Sequence, residues 1–436
     1  MREASELSTL AIREASYAAA AGEGAARVML RCATLAKITD KPGQILRTFV
    51  SPAMNEVHRT MRPWMEAAGM AVGMDRAGNL RGVYPADADA DMPRLLIGSH
   101  LDTVPNAGAY DGVLGVLMGL ALVESLAGRT PGFAIEVIGF SDEEGTRFGA
   151  PFLGSRAVVG ELQGALLQRI DHAGATVGEA LREFGAAHTD AVDASLAPGS
   201  GAYLEFHIEQ GPVLESRNLA LGIVEGLAGQ SRGNVVFRGR ASHAGTTPMR
   251  LRSDALAAAA EWMTRVEAIA SRFENAVATV GEIEAEPGAV NVIPGFVRCS
   301  LDVRHPEDSA RDAAVRAIFD EAHVVGRRRG ITVEAEQYHE HPAVRLAAEI
   351  VAMAERAAKR AGYATIRMTS GAGHDAMVMA PHLPSAMIFL RNPGGISHHP
   401  DESVAEQDMA AGLHAGLCFL DEYAAWIGKK EGGQHA

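Results

Sequence analysis

Cysteine is almost missing from this sequence of 436 residues, with only Cys32, Cys299 and Cys418 present. Odd in number and far apart, they suggest neither a disulfide framework nor a thiolate metal site, and a reducing, cytoplasmic setting is expected. A basic excess is missing too. The 40 Lys and Arg against 54 Asp and Glu leave a formal net charge of −14, which argues against a nucleic-acid partner. An anionic substrate would then need local arginine or metal charge. Long apolar runs are also lacking: the longest, residues 113–123, is too short for a membrane span of roughly 18 residues. The N-terminus has no apolar signal-peptide core. What remains, 47% hydrophobic and 22% charged, is a globular composition, long enough for two or three domains of roughly 150 residues.

The first 20 or so residues are polar and Ala-rich with no evident anchor, so fraying is expected there. From residue 25 to 36 apolar side chains recur at helical spacing (Val28, Leu30, Leu35). Ser51 and Pro52 then open a second helix, as cap and first-turn residue, that should end near Gly69. Residues 71–84 read as a hairpin turning at 76–79. Buried-strand runs follow at residues 94–98, 133–140, 202–206 and 385–390, and each leads to polar residues. The first reaches His100 and Asp102, the second Glu143 and Glu144, the third His207, Glu209 and Gln210, the fourth Ser397, His398 and His399. In open α/β sheets ligands bind beyond the carboxyl ends of strands, so the four segments can converge on one crevice. Helices over 112–126 and 343–361 supply covering layers.

Between about 227 and 337 the order changes to strand 234–239, helix 251–273, strands 276–283 and 296–303, helix 307–328 and strand 331–337. This is the β-α-β-β-α-β order of ferredoxin-like domains. Strands on both sides of it feed the same crevice. The expected fold is therefore α/β, with a mixed-sheet catalytic domain of residues 1–226 and 338–436 interrupted by a ferredoxin-like lid of residues 227–337.

Taken alone, His100 and Asp102 in a strand-end loop would more often make a hydrogen-bonded turn, and Glu143-Glu144-Gly145 a solvated helix cap. Together, three imidazoles (His100, His207, His398) and two carboxylates (Asp111, Glu144) are ligand types suited to divalent Zn or Mn. They exceed the needs of one tetrahedral site and suit two ions sharing a bridge, for which Asp111 is the candidate. Neighbouring residues at a strand end point different ways, so Glu144 can ligate while Glu143 serves as general base. Asp102 can orient the His100 ring.

The segments GSHLDTV with AYDGVLGV, SDEEGTRFGAPFLGSRA, HIEQGPVLE, SHAGTTPM, NVIPG, SGAGHDA and ISHHPDE occur in this order along the chain. In them the sequence resembles the di-metal M20 amidohydrolases, in the branch of allantoate amidohydrolases, N-carbamoyl-L-amino-acid hydrolases and β-ureidopropionases, over residues 25–426. The resemblance implies His100, Asp111 and His207 around one ion and Asp111, Glu144 and His398 around the other, with Zn, Mn, Co or Ni as candidates. His399 beside His398 is a competing imidazole. Glu143 becomes the base and Asp102 its supporting carboxylate. Arg232, Asn291 and Arg304 are assigned to the substrate, Gln210 and His243 to the region of the reacting carbonyl, and His374 either to substrate or to a structural turn.

The resemblance also implies a homodimer through the lid, with His243 able to reach the neighbouring protomer's site, and hinges near residues 226–229 and 337. The expected activity is hydrolysis of the ureido C–N bond of a small carboxylate. Allantoate, from purine catabolism, is the leading substrate, with release of ammonia and carbon dioxide; N-carbamoyl-L-amino acids or N-carbamoyl-β-alanine are the alternatives. A reading from another class, a catalytically silent ureido-acid-binding protein, is opposed by the full set of ligands and base. A di-metal peptidase is opposed by His207, where related peptidases usually carry a carboxylate.

Overall fold

The computed structural model describes residues 2–89, 91–186 and 194–433. Helices α1 (Arg2–Leu35) and α2 (Pro52–Ala67) lead to strands β1 (Ala71–Met74), β2 (Leu80–Tyr84) and β3 (Arg94–His100). Helix α3 (Val113–Ser125), strand β4 (Ala134–Phe140) and helices α4 (Leu153–Val158) and α5 (Val177–Phe184) precede β5 (Ser200–Ile208), α6 (Val213–Ser216) and β6 (Leu221–Leu227). Next come β7 (Gly229–Arg238), β8 (Ser242–His243), α7 (Ala255–Ala270), β9 (Val277–Thr279), β10 (Ile283–Glu286), β11 (Val292–Ile293) and β12 (Phe296–His305). Helix α8 (Asp308–Arg329), strands β13 (Thr332–His341) and β14 (Val344–Arg345), α9 (Ala348–Arg360), β15 (Thr365–Ser370), α10 (Asp375–Met379), β16 (Ser385–Leu390) and α11 (Glu406–Gly433) complete the chain.

Two compact units result, one of residues 1–225, 346–368 and 374–436 and the other of residues 226–345 and 369–373. The first is built on a mixed sheet that runs β1-β2-β4-β3-β5-β16-β6. Its centre is parallel: β3 lies between β4 and β5, and β16 lies along β5. β1, β2 and β6 pair antiparallel with their neighbours. Every residue of β3, β4 and β16 is buried, as expected of parallel strands covered on both faces. Register puts His100 beside Phe140 and His207 beside Phe389. The polar residues that follow these strands therefore leave the sheet at one edge.

Within β4, Glu136 is buried and paired with Arg81 and Arg94 at 2.6 and 2.8 Å. Helix α3, apolar all round and buried through Val123, lies close on the sheet. The close approach depends on Gly115, where a Cβ would stand 2.2 Å from the Phe206 carbonyl oxygen.

The N-terminal stretch departs from the expectation of fraying. α1 begins at Arg2, and its buried Tyr17 joins Arg13 in contact with Asp421 of α11. Leu30, expected on the packed face, is 69% exposed, whereas Val28 and Leu35 are fully buried. α2 starts as its sequence suggests, with the Ser51 side chain accepting from the Met54 amide.

The second unit has a sheet of order β10-β12-β7-β13, with β9 also on β12, all antiparallel. Alternate residues of β7 and β12 are buried against α7 and α8, where Trp262 donates Nε1–H to the Ile318 carbonyl at 3.0 Å. The single strand expected over 276–283 is divided in two, because Ser300 Oγ accepts from the amides of Gly281 and Glu282 in place of a backbone partner. α7 starts at Ala255 rather than 251 because Asp254 caps it, accepting from the Ala257 amide. The unit extends to Arg345 rather than 337, since β13 continues along β7 past a register shift at residues 337–339.

Two glycine substitutions test the packing of α3. Gly115→Ala is expected to destabilise the protein by about 1–3 kcal/mol through overpacking. Gly22→Ala, in α1 with nothing within 4 Å of its Cβ position, should stabilise by about 0.5–1 kcal/mol. Thermal melts at matched metal content check both, and equal midpoints would contradict the close approach of α3 to β5.

Candidate metal centre

His100 closes β3, and the loop after it returns at Asp111, immediately before α3. His207 lies in β5 one residue from its end. The chain after β4 carries Asp142, Glu143 and Glu144, and the loop after β16 carries His398. These segments meet around Asp111. Its Oδ1 lies 3.7 Å from His100 Nε2 and 3.2 Å from His207 Nε2. Its Oδ2 lies 3.3 Å from His398 Nε2, which is itself 3.5 Å from Glu144 Oε1. His100, Asp111 and His207 form one group able to hold an ion, and Asp111, Glu144 and His398 another. A further grouping, His100 with Glu143 and Glu144, places the candidate base beside the first.

Asp102 ties these parts together. His100 Nδ1 is 3.0 Å from the Asp102 carbonyl oxygen and 3.5 Å from its Oδ1. The same carboxylate accepts the Glu143 amide at 2.9 Å and the Glu144 amide at 3.2 Å. Asp102 therefore fixes both an imidazole and the carboxylate pair.

Of the adjacent imidazoles, His398, at φ 55°, joins the cluster. His399 accepts from the Asp401 amide instead and is 56% exposed. Gln210, expected at the reacting carbonyl, donates from Nε2 to Asp111 Oδ2 at 3.1 Å and to Ser397 Oγ at 3.0 Å. His374 is buried edge-on against His207, with ring centroids 4.3 Å apart.

The charges are crowded. Burial, and then the neighbouring Glu144 charge, push Glu143 well above the ordinary carboxylate range. Burial and the Asp111 charge bring Glu144 up to about 7. Burial also works against ionisation of Asp111, but its contacts with His100, His207 and His398 outweigh it and hold this carboxyl well below the usual range. Burial and the His207 charge hold His374 well below the ordinary imidazole value. His207 Nε2, buried, makes no hydrogen bond. An orphaned ring nitrogen facing buried carboxylates that lack a guanidinium partner is the donor set a divalent cation satisfies, so the residues fit the two ions that the sequence implies.

Four expected residues belong to the second unit. Arg232 and Arg304 converge on Asp302, their Nε atoms 3.0 and 2.9 Å from its two oxygens, and Arg304 Nη1 also donates to the Gly371 carbonyl. His243 lies in β8, whose partner strand β11 begins one residue after Asn291. His243 Nδ1 accepts from the amides of Gly245 and Thr246 at 3.0 and 3.2 Å, so the proton of the neutral ring sits on Nε2.

Sequence reasoning passed over Glu402. Buried, it accepts the amides of Tyr110 and Asp111 at 2.9 and 3.0 Å and so holds the loop that carries the shared carboxylate. The one local signal is Gly108, where a Cβ would stand 2.4 Å from the Glu402 side chain. Asn392 was also passed over: its Oδ1 accepts the Gln210 amide at 3.0 Å. So was Glu205, buried in β5 and accepting from Ser99, Tyr203 and the Ala376 amide.

Comparison with known proteins agrees with the resemblance drawn from the motifs. The profile of peptidase family M20/M25/M40 matches residues 96–422. Allantoate deiminase 1 of Glycine max is 37% identical over 429 residues, 89% of this chain and 87% of that protein. The N-carbamoyl-L-amino acid amidohydrolase of Geobacillus stearothermophilus is 37% identical over 390 residues, 88% of this chain and 95% of that protein. Among solved structures, a hydantoinase/carbamoylase family amidase from Burkholderia ambifaria superposes with a TM-score of 0.84 at 35% identity, over 91% of this chain and 96% of that one. Given the ligand groups at the sheet edge and these matches along most of its length, the chain belongs to peptidase family M20/M25/M40 and is a hydrolase of C–N bonds.

Proposed function

We propose that the protein hydrolyses the ureido C–N bond of a small carboxylate, with allantoate as the leading substrate and N-carbamoyl-L-amino acids as the alternative. The observation that carries the reading is Asp111, with one oxygen toward His100 and His207 and the other toward His398. Relatives named for both substrate classes support it at similar identity. One ion would be held by His100, Asp111 and His207 and the other by Asp111, Glu144 and His398. When bound, the pair supplies Lewis acidity and lowers the pKa of water from 15.7 toward about 7.

The chain's own residues do the rest. Glu143 takes a proton from the attacking water and returns it to the departing nitrogen as ammonia leaves; the remaining carbamate breaks down to carbon dioxide and the amine of the acid. Its burial suits that exchange, because a buried carboxylate binds a proton more readily. Asp102 keeps His100 and the Glu143 amide in place. His243 offers Nε2–H to the oxygen that becomes negative. Arg232 and Arg304 hold the substrate carboxylate, a task for which guanidinium forks are shaped, and Asp302 orients them; Asn291 lies on the same unit as a further substrate contact, and Gln210 and His374 line the ion-binding region.

The second unit, the proposed lid, closes by bending near residues 226–229 and pairs two protomers into a homodimer; the other hinge, expected near 337, falls inside β13, which runs on to His341. A cytoplasmic location fits the scarcity of cysteine, and no helix among the described residues is long and apolar enough to cross a membrane.

The substrate assignment rests on ammonia release from allantoate, N-carbamoyl-L-methionine and N-carbamoyl-β-alanine with added Mn or Zn. Allantoate is expected to turn over fastest, and its inertness alongside active carbamoyl amino acids would exchange the two readings. Glu143→Gln should lower kcat by about 10²–10⁴ with metal content retained. Asp102→Asn should also keep the metals and slow turnover, whereas Asp111→Asn should lose both; metal analysis beside kcat separates the three. Mixed dimers of Glu143→Gln and His243→Ala protomers are expected to recover activity, if His243 serves the neighbouring site. Verified mixed dimers without activity would assign it to its own.

A further inference from the structure

We propose that Glu14, His414 and Cys418 form a second cation site, apart from the centre at the strand ends, that takes a thiophilic divalent ion of the zinc or cobalt type. His414 and Cys418 stand four residues apart on one face of α11, the spacing that brings side chains together on a helix. Glu14 comes from α1, which packs along α11. Its Oε2 is 3.4 Å from His414 Nε2 and 3.5 Å from Cys418 Sγ, and the three candidate ligand atoms lie within 4.8 Å of one another. The other oxygen, Oε1, accepts from Arg360 Nε at 2.7 Å, and Arg360 in turn donates to Asp421 at 2.7 Å. Arg360 thus turns Oε2 toward the imidazole and the thiol.

The independent observation is His414 itself. It is only 8% exposed, and its Nε2 makes no hydrogen bond despite facing the carboxylate. A buried polar atom left unmet is destabilising. An ion shared among nitrogen, sulfur and oxygen meets it, and this mixed donor set suits zinc or cobalt, with a fourth position open to water. The thiolate, not the thiol, is the ligand, so the ion displaces the Cys418 proton on binding. The Cys418 S–H bond gives way to an S–metal bond, and one proton goes to solvent per ion. Among the described residues, Cys32 and Cys299 belong to no such group. Bound there, the ion would join α1 to α11 through ligands 404 residues apart in sequence.

The test is a Co2+ titration of the full-length, metal-free protein, followed by absorption. Only a thiolate ligand gives a near-ultraviolet sulfur-to-cobalt charge-transfer band, and the centre at the strand ends contains no cysteine, so the band reports this site alone. With Co2+ added to saturation, beyond three equivalents per chain so that the strand-end groups are also filled, the band should appear at one thiolate-bound cobalt per chain, with loss of the band in Cys418→Ser and in His414→Gln. Cobalt bound with visible d–d absorption but no near-ultraviolet band would overturn the proposal, as would a band that survives Cys418→Ser. Should Cys418→Ser fail to fold, His414→Gln with native circular dichroism decides: loss of the band supports the site and an unchanged band refutes it.

Discussion

The Asp111 carboxylate faces three imidazoles at once, and much of the first unit is arranged to hold it there. Its backbone is fixed by Glu402, and its oxygens accept from Gln210 and Ser397. Gly112, at φ 68°, turns the chain into α3 so close to the His100 ring that a Cβ would come within 2.4 Å of it. A buried charge is tolerated only when hydrogen-bonded and paired. Here the pairing is split between two groups of side chains able to hold an ion, and one carboxylate belongs to both.

The chain treats its buried carboxylates in two ways. Glu136, inside β4, is neutralised by Arg81 and Arg94, cations that the protein supplies itself. A few residues later, past the strand end, Glu143 and Glu144 face each other, further carboxylates (Asp102 and Asp375 near Glu143, Asp102 and Asp111 near Glu144) and imidazoles, and both are pushed toward the protonated form. The first arrangement is structural and closed. The second is unfavourable as a set of bare anions, a setting that a divalent ion would relieve. The Glu14, His414 and Cys418 cluster stands between the two, since Arg360 pairs with one oxygen of Glu14 and leaves the other toward the imidazole and the thiol.

The parallel core was legible because strands buried on both faces read as unbroken apolar runs, and the residues that gather at the sheet edge were legible because each such run stops at a polar cluster. What escaped detection depends on partners distant in sequence. Glu402 looks like a solvated acidic residue until the loop 291 positions earlier folds onto it. Glu205 sits inside an apolar strand, where a pattern of residues gives no hint of the hydroxyls that meet it. The gap between β9 and β10 comes from a side chain on a neighbouring strand. Leu30 fits the helical spacing, yet α1 turns it to solvent. His398, taken from the resemblance with His399 as its competitor, is the one that the backbone at φ 55° turns toward Asp111 and Glu144. Cys418 seemed unconnected because its neighbours are a histidine one helical turn away and a glutamate at the other end of the chain.

The hold of Glu402 on the amides of Tyr110 and Asp111 also bears on the order in which the protein can become competent. A ribosome delivers β3, β4 and β5 with most of the ligands long before it delivers residues 398 and 402. Until then the loop bearing Asp111 has no Glu402 carboxylate to fix its backbone, and the group of Asp111 and Glu144 has no imidazole from residue 398. The group of Asp111, Glu144 and His398 is thus completed only late in synthesis, after that of His100, Asp111 and His207.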